Sequence, residues 1–233
     1  MKCDVCDKPI YGTYFIDPWG IKSHQVHDGQ ASERCFCCGR YISTYKSKAS
    51  YMLSDGRIIC DFCNANAVNN KESGKKAKEE VYSLFEKAKI ILPKEKITVM
   101  INDKIYAEKV LNRKSFFGLM TSSHTTNGFR VTSEYQVNIL SGLHKLMFNA
   151  VLGHELMHVY ISEQKMNLTL IEEEGLCELI SYFIYQASRT KFGQIEMEAM
   201  EKSQDPIYGE GFRMMKKMLD KKGSWENLLQ SLR

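Results

Sequence analysis

The sequence predicts an α+β chain in two parts: a small cysteine- and histidine-rich module, then a mostly helical domain with a small β-sheet. Three observations predict it. Seven of the eight cysteines fall before residue 64, mostly in CxxC pairs. Residues 69–78 turn polar and lysine-rich around "NNKESGKK". Beyond them apolar residues recur at helical spacing, interrupted by short alternating or β-branched stretches. The first domain is expected at 1–70 and the second at 75–233, with the boundary in the lysine-rich stretch.

The bulk properties narrow the function classes. The chain has 233 residues, 43% apolar and 26% charged, as ordinary globular proteins do. A net charge of +4 is small and diffuse, and residues 1–70 carry eight Lys or Arg against seven Asp or Glu. That balance offers no electrostatic footprint for nucleic acid. No run approaches the roughly 18 apolar residues of a membrane span. The opening "MKCDVCDKPI" lacks the apolar stretch of a signal peptide, so a cytoplasmic location is expected. In a reducing compartment paired cysteines point to metal rather than to cystines.

The N-terminal ligands fall into four pairs: Cys3 and Cys6, His24 and His27, Cys35 and Cys38, Cys60 and Cys63. A CxxC knuckle places two thiolates on one ion, and a second pair completes a tetrahedron. Taken in order, the first four residues form one structural zinc site and the last four a second. Cys37 has no partner at that spacing and reads as a spare thiol. "IDPWG" and "LSDGRIIC" suggest small hairpins. So little apolar surface is available here that the metals are expected to supply much of the folding energy.

In the second domain, "AKEEVYSLFEKAKIIL" has a helical period that Pro93 is expected to end. "KITVMIN" alternates like a strand. "FRVTSEYQVNILSG" reads as a strand pair or one long extended stretch, whose "YQVNILSG" portion offers a peptide an edge strand. From about Lys145 the chain reads as helical, with breaks near Gly193 and at "DPIYGEGF".

The helix from about Lys145 to Ser162 is apolar nearly all round, hence buried. Inside it stands "HELMH". His154 and His158, at i and i+4, share a face, and Glu155 flanks it. Catalytic zinc takes three protein ligands and leaves a position open. Glu174, sixteen residues beyond His158, opens the apolar segment "EEEGLCELISYFIY" and is the candidate third ligand. Glu172 and Glu173 are explained by a helix dipole, which favours an acidic first turn. Zinc on such a set brings a water's pKa toward neutrality and polarises a carbonyl, with Glu155 as the base.

"CDVC", "RCFCCGR", "LSDGRIICDFCNANAV", "HELMH", "EEEGLCE" and "DPIYGEGFR" together resemble the plant LIM-domain, ubiquitin-activated peptidases of organ-size control and their bacterial relatives; residues 71–140 match loosely. The resemblance implies a LIM-like double zinc module followed by a gluzincin-type metallopeptidase domain. It supports the eight N-terminal residues as structural ligands, His154, His158 and Glu174 as catalytic ligands, and Glu155 as the base. It implies a protein or peptide substrate; for the N-terminal module, which lacks a nucleic-acid footprint, protein binding or a purely structural role is expected. His27 stands where the LIM pattern has cysteine, and the gap to Cys35 is longer. The plant members carry ubiquitin-interacting helices ahead of the LIM region, whereas this chain starts at its first knuckle, so ubiquitin activation is not carried over.

Residues 205–213 read as a tight loop approaching the site. Tyr208 is a candidate oxyanion donor, as a tyrosine is in the aminopeptidase-type gluzincins. Arg213 is the alternative donor, or a pin for the loop. Packing of Tyr208 and Phe212 in the core explains the segment equally well. His144, and His124 in the polar loop "TSSHTTNG", are expected to cap or lie on the surface, and Cys177 to be a core thiol. The competing function is a zinc-scaffolded interaction module whose peptidase-like half binds without cleaving.

Overall fold

The computed structural model describes residues 1–27, 32–43, 50–113, 116–127 and 130–233. They form two compact units, Met1–Val68 with Gly142–His144, and Asn69–Ser141 with Lys145–Arg233. The mixed α and β content agrees with the predicted class.

The first unit contains β1 (Tyr14–Ile16), β2 (Lys22–His24), β3 (Ser50–Met52), β4 (Ile58–Cys60), α1 (Asp61–Ala65) and β5 (Ala67–Val68). β1 pairs with β2 and β3 with β4, both antiparallel, giving the two expected hairpins. Buried Asp17 organises the first turn. Its Oδ1 accepts from Trp19 N and Ile21 N, and its Oδ2 from Tyr41 N, at 2.8–2.9 Å. The two CxxC knuckles share one backbone pattern. Cys3 N donates to Lys8 O and Asp7 N to Cys3 O, while Cys35 N donates to Arg40 O and Gly39 N to Cys35 O. Asp7 and Gly39 occupy the same left-handed position, at φ 58° and 65°.

The second unit begins with α2 (Lys71–Lys87), whose start is held by reciprocal bonds between Asn70 and Ser73. The lysine-rich stretch read as a boundary is therefore mostly the first turns of this helix. Its polar residues face water, while Gly74, Ala77 and Val81 are buried. The helix ends at Lys87, well before Pro93, and Lys89 just beyond it takes the left-handed conformation at φ 58°. β6 (Ile97–Asn102), α3 (Lys104–Lys109), β7 (Gly118–Asn127) and β8 (Arg130–Leu140) follow. The sheet order is β6–β8–β7, with β6 parallel and β7 antiparallel to β8. β9 (Leu143–His144) belongs to the first unit and pairs with β5.

The helical layer is α4 (Lys145–Glu163), α5 (Leu170–Ser188), α6 (Lys191–Lys202), α7 (Tyr208–Lys222) and α8 (Trp225–Ser231). α4 is the core helix, with Phe148, Leu152, Leu156, Met157 and Val159 fully buried. Ser181 Oγ donates to Ala150 O across the α4–α5 contact. No helix among the described residues is long and apolar enough to cross a membrane.

"DPIYGEGFR" is a short turn, residues 205–207, followed by helix. Asp205 Oδ1 accepts from Ile207 N and Tyr208 N at 2.8–2.9 Å, and α7 starts at Tyr208. Its glycines act by lacking a side chain where helices cross. A Cβ on Gly211 would lie 2.4 Å from Ile171 O, and one on Gly175 would lie 2.3 Å from Gly211 O. The break expected at Gly193 falls at Arg189, φ 52°, and Gly193 sits buried inside α6. We expect Gly211→Ala to lower stability by about 1–3 kcal/mol, because the obstructing atoms are backbone that cannot swing away. Urea unfolding, with exposed Lys217→Ala as control, measures it; equal midpoints for the two would show that the crossing yields freely.

Candidate metal centre

His154 and His158 project from one face of α4, and Glu174 meets them from the first turns of α5. His154 Nε2 lies 3.3 Å from His158 Nε2, 3.2 Å separates it from Glu174 Oε2, and His158 Nε2 lies 3.6 Å from that oxygen. Bonds of about 2.0–2.1 Å to a tetrahedral zinc would space three such atoms about 3.3–3.4 Å apart. Glu174 Oε2 is also buried without a hydrogen-bond partner among the described residues, as a ligand atom awaiting a cation would be. The donor set fits zinc.

The second nitrogen of each imidazole faces a carboxylate. His158 Nδ1 donates to Glu173 Oε1 at 2.8 Å, and His154 Nδ1 lies 3.2 Å from Glu178 Oε1. Such outer partners orient ligand histidines and raise their basicity. Burial opposes charge on both rings, yet Glu174 and Glu178 hold the His154 pKa, and Cys177 with Glu173 and Glu174 the His158 pKa, above the usual histidine range. Burial likewise opposes charge on Glu174, but the imidazoles pull its pKa down to about 2. The electrostatics favour a cation at this point.

Glu155 lies beside the cluster and is buried, which pushes its carboxyl above the usual glutamate range; the two imidazoles pull the other way. Met120 N donates to its Oε2 at 2.7 Å. β7 approaches closely enough for this because residue 118 is glycine: a Cβ there would lie 2.5 Å from Glu155 Oε1 and 2.6 Å from Val151 Cγ1.

A cavity of about 770 Å³ opens over this cluster. Phe117, Gly118, Leu119 and Met120 line one side, and Tyr208 lines it from the start of α7. Tyr208 is 46% exposed, with its ring 6.4 Å from that of His154, so it is not core packing; Phe212 is. Burial and the nearby Glu174 and Glu178 raise its pKa. Arg213 does not line the cavity. It is exposed, and its Nη1 donates to Ser203 O at 2.6 Å and Glu201 O at 3.5 Å, pinning the chain that enters α7.

Several expectations change. "YQVNILSG" belongs mostly to β8, which pairs on both sides, so it has no free edge. Among the described residues β7 pairs on one side only, and its first residues, Gly118 to Met120, line the cavity. His124 is in β7 rather than a loop, its Nδ1 3.0 Å from Ser133 Oγ. His144 is stacked on Phe62 in the first unit, and burial lowers its pKa to about 4. Glu172 does cap α5, accepting from Thr169 N and Oγ1, but Glu173 serves His158. Cys177 is fully buried yet not remote: its Sγ lies within 4.8 Å of a ring nitrogen of each histidine. Glu173 and Glu178 are the functional residues the sequence reading missed. Glu178 stands one turn beyond Glu174 on the same face, which was the available signal.

In the first unit, donor atoms of Cys3, Cys6, His24 and His27 lie within 4.8 Å of one another, as do those of Cys35, Cys38, Cys60 and Cys63. Cys38 Sγ and Cys60 Sγ are 3.7 Å apart. Zinc–sulfur bonds of about 2.3 Å give a tetrahedral edge of about 3.8 Å. His27 Nε2 is 3.2 Å from Cys3 Sγ, and its Nδ1 is 2.8 Å from Ser32 Oγ. His24 turns Nδ1 to Cys6 Sγ at 3.5 Å and Nε2 to Pro9 O at 3.0 Å. Cys37 stays out of both clusters and donates its thiol to Gly142 O.

Comparison with known proteins shows the family. Residues 62–191 match the family model described as "DA1-like: Protein DA1". "Protein DA1-related 6" of Arabidopsis thaliana is 24% identical across 99% of this chain and 46% of its own length. "Protein DA1" of the same plant is 20% identical across 91% of this chain and 52% of its own length. "LIM domain-containing protein HDR3" of Oryza sativa subsp. japonica is 23% identical across 83% and 46%. The chain thus spans about half the length of the curated relatives it matches. No solved structure matches it. Because the family model covers more than half of its residues and takes in the histidine helix and Glu174, the chain belongs to the DA1-like family.

Proposed function

We propose that the chain is a zinc-dependent peptidase cutting within protein or peptide substrates. The observation that carries this is the triangle of His154, His158 and Glu174 with Glu155 beside it on the cavity wall. Zinc held there supplies Lewis acidity, polarising a carbonyl and bringing a water's pKa toward neutrality. Glu155 takes the attacking water's proton and passes it to the leaving amine. Glu173 and Glu178 keep the imidazoles in the tautomer that turns Nε2 inward. The cavity end of β7 presents backbone groups against which an extended substrate can lie.

The two N-terminal clusters suit structural zinc, giving two structural ions and one catalytic. The name of the rice relative contains a LIM domain, which supports a LIM-like, partner-binding role for the first unit. Thiolate clusters of this kind suit a reducing compartment, and we assign the cytoplasm.

The direct test is incubation of a denatured-protein mixture with zinc-loaded and with chelated protein, read by mass spectrometry. New internal cleavage sites that depend on zinc are expected. Identical peptide sets in the two arms would leave the fold as a binding module.

Tyr208 has the position for an oxyanion donor. Tyr208→Phe is expected to lower kcat by about two to three decades, some 2–4 kcal/mol, with zinc content retained. A Phe variant cleaving at the wild-type rate would remove the phenol from the chemistry.

A further inference from the structure

Five carboxylates line the cavity, and four are committed. Glu155 holds Met120 N, Glu173 and Glu178 face the outer nitrogens of the histidines, and Glu174 completes the donor triangle. The fifth, Glu196, comes from α6, is partly buried, and has no hydrogen bond or ion pair among the described residues. Met147, Val151, Tyr185 and Met200 line the same cavity, and α6 packs on α5 with Gly193 against Tyr185 and Glu201 bonded to Tyr182, which puts Glu196 beside that stretch of α5.

The helices fix where this part of the cavity lies. Ser181 contacts Ala150 while Glu178 faces His154 and Glu173 faces His158, so α4 and α5 run antiparallel. Val151 and Met147 stand one and two turns before His154, and Tyr185 three turns past Glu174. This places the wall beside the donor triangle, extending about 5–10 Å along α4. An apolar wall with a single uncommitted carboxylate matches the two halves of a basic side chain, an aliphatic stem and a charged head.

We propose that Glu196 makes this end of the cavity a subsite for a cationic side chain of the substrate, lysine or arginine, near the bond to be cut. Burial without a partner raises the Glu196 pKa to about 7, so an arriving cation would recover a charge that the fold leaves uncompensated. The inference rests on the peptidase reading only for the phrase "near the bond to be cut"; the cation subsite itself stands on the cavity.

The test uses zinc-loaded full-length Glu155→Gln protein, which binds without cutting, and fluorescent peptides with acetylated and amidated ends. One position at a time is lysine or its uncharged isostere norleucine, and affinity is read by anisotropy. Blocked ends remove the α-amino group as a rival cation. At one position lysine should bind about tenfold tighter than norleucine, the size of a hydrogen bond to a charged group. In Glu155→Gln/Glu196→Gln that ratio should fall close to one. Equal affinities, no binding of either peptide, a preference seen only with free ends, or a preference surviving Glu196→Gln each overturns the subsite. Wild-type protein that cuts the peptides with no lysine preference sinks the subsite and leaves the peptidase reading. A lysine preference in binding, with no cutting of any peptide by wild type, does the reverse.

Discussion

Glu155→Gln should abolish peptide cleavage, by about three decades or more in kcat/KM, while fold and zinc content stay as in wild type. The substitution is nearly isosteric, and an amide oxygen still accepts from Met120 N, which now donates to Glu155 Oε2. What is lost is the ability to take a proton, and a positioned general base contributes about two to four decades. Glu155 Oε2 is taken by Met120 N, and the donor triangle of His154, His158 and Glu174 is complete without it, so its change should release no metal. The same group sets a pH expectation. Burial raises its pKa above the usual glutamate range, and only the unprotonated carboxylate works as a base. Wild-type kcat/KM should therefore fall on acidification through a pKa higher than the ordinary value of about 4.3. Cleavage by the zinc-bound Gln variant at more than about a tenth of the wild-type rate would exclude Glu155 as the base.

The parts legible in the sequence are those whose chemistry demands local spacing. CxxC pairs and an i, i+4 histidine pair are local geometry, and the structure brings each set together. α4 was legible almost to the residue because a helix buried on all sides is apolar on all sides. The missed features depend on partners far along the chain or have two meanings in sequence. Glu173 at a helix start satisfies the dipole argument whether or not an imidazole stands opposite. Gly209 and Gly211 read as backbone freedom, yet at Gly211 what matters is the missing Cβ against Ile171 and Gly175. The segment 121–126 looked like a loop because it is polar, but both faces of that part of β7 are exposed, so no alternation could mark it. Which strand keeps an edge follows from non-local pairing, and "YQVNILSG" carries no sign that two neighbours flank it.

Cys60→Ser should remove one zinc per chain and unfold much of the first unit. Around the four sulfurs of Cys35, Cys38, Cys60 and Cys63 the chain has short hairpins, a five-residue helix and few large apolar side chains besides Ile59. All four cysteines are buried, and Cys60 N donates to Cys35 Sγ at 3.2 Å. Losing the ion would leave polarisable but unpaired groups in place of four bonds. Structural zinc is worth about 10–16 kcal/mol to small domains of this kind, more than their cores supply. Serine has the size of cysteine but offers zinc no thiolate, so the effect should come from metal loss and not from a cavity. Metal analysis should show the deficit, and hydrogen exchange should show lost protection across β3, β4 and α1. Cys37→Ser is the discriminating comparison. Its thiol is equally buried and only two residues from Cys35, but it bonds to Gly142 O and stands outside the cluster. That variant should keep its full zinc content. If Cys37→Ser lost the ion and Cys60→Ser kept it, the second site would be built on a different set of thiolates from the one the structure shows.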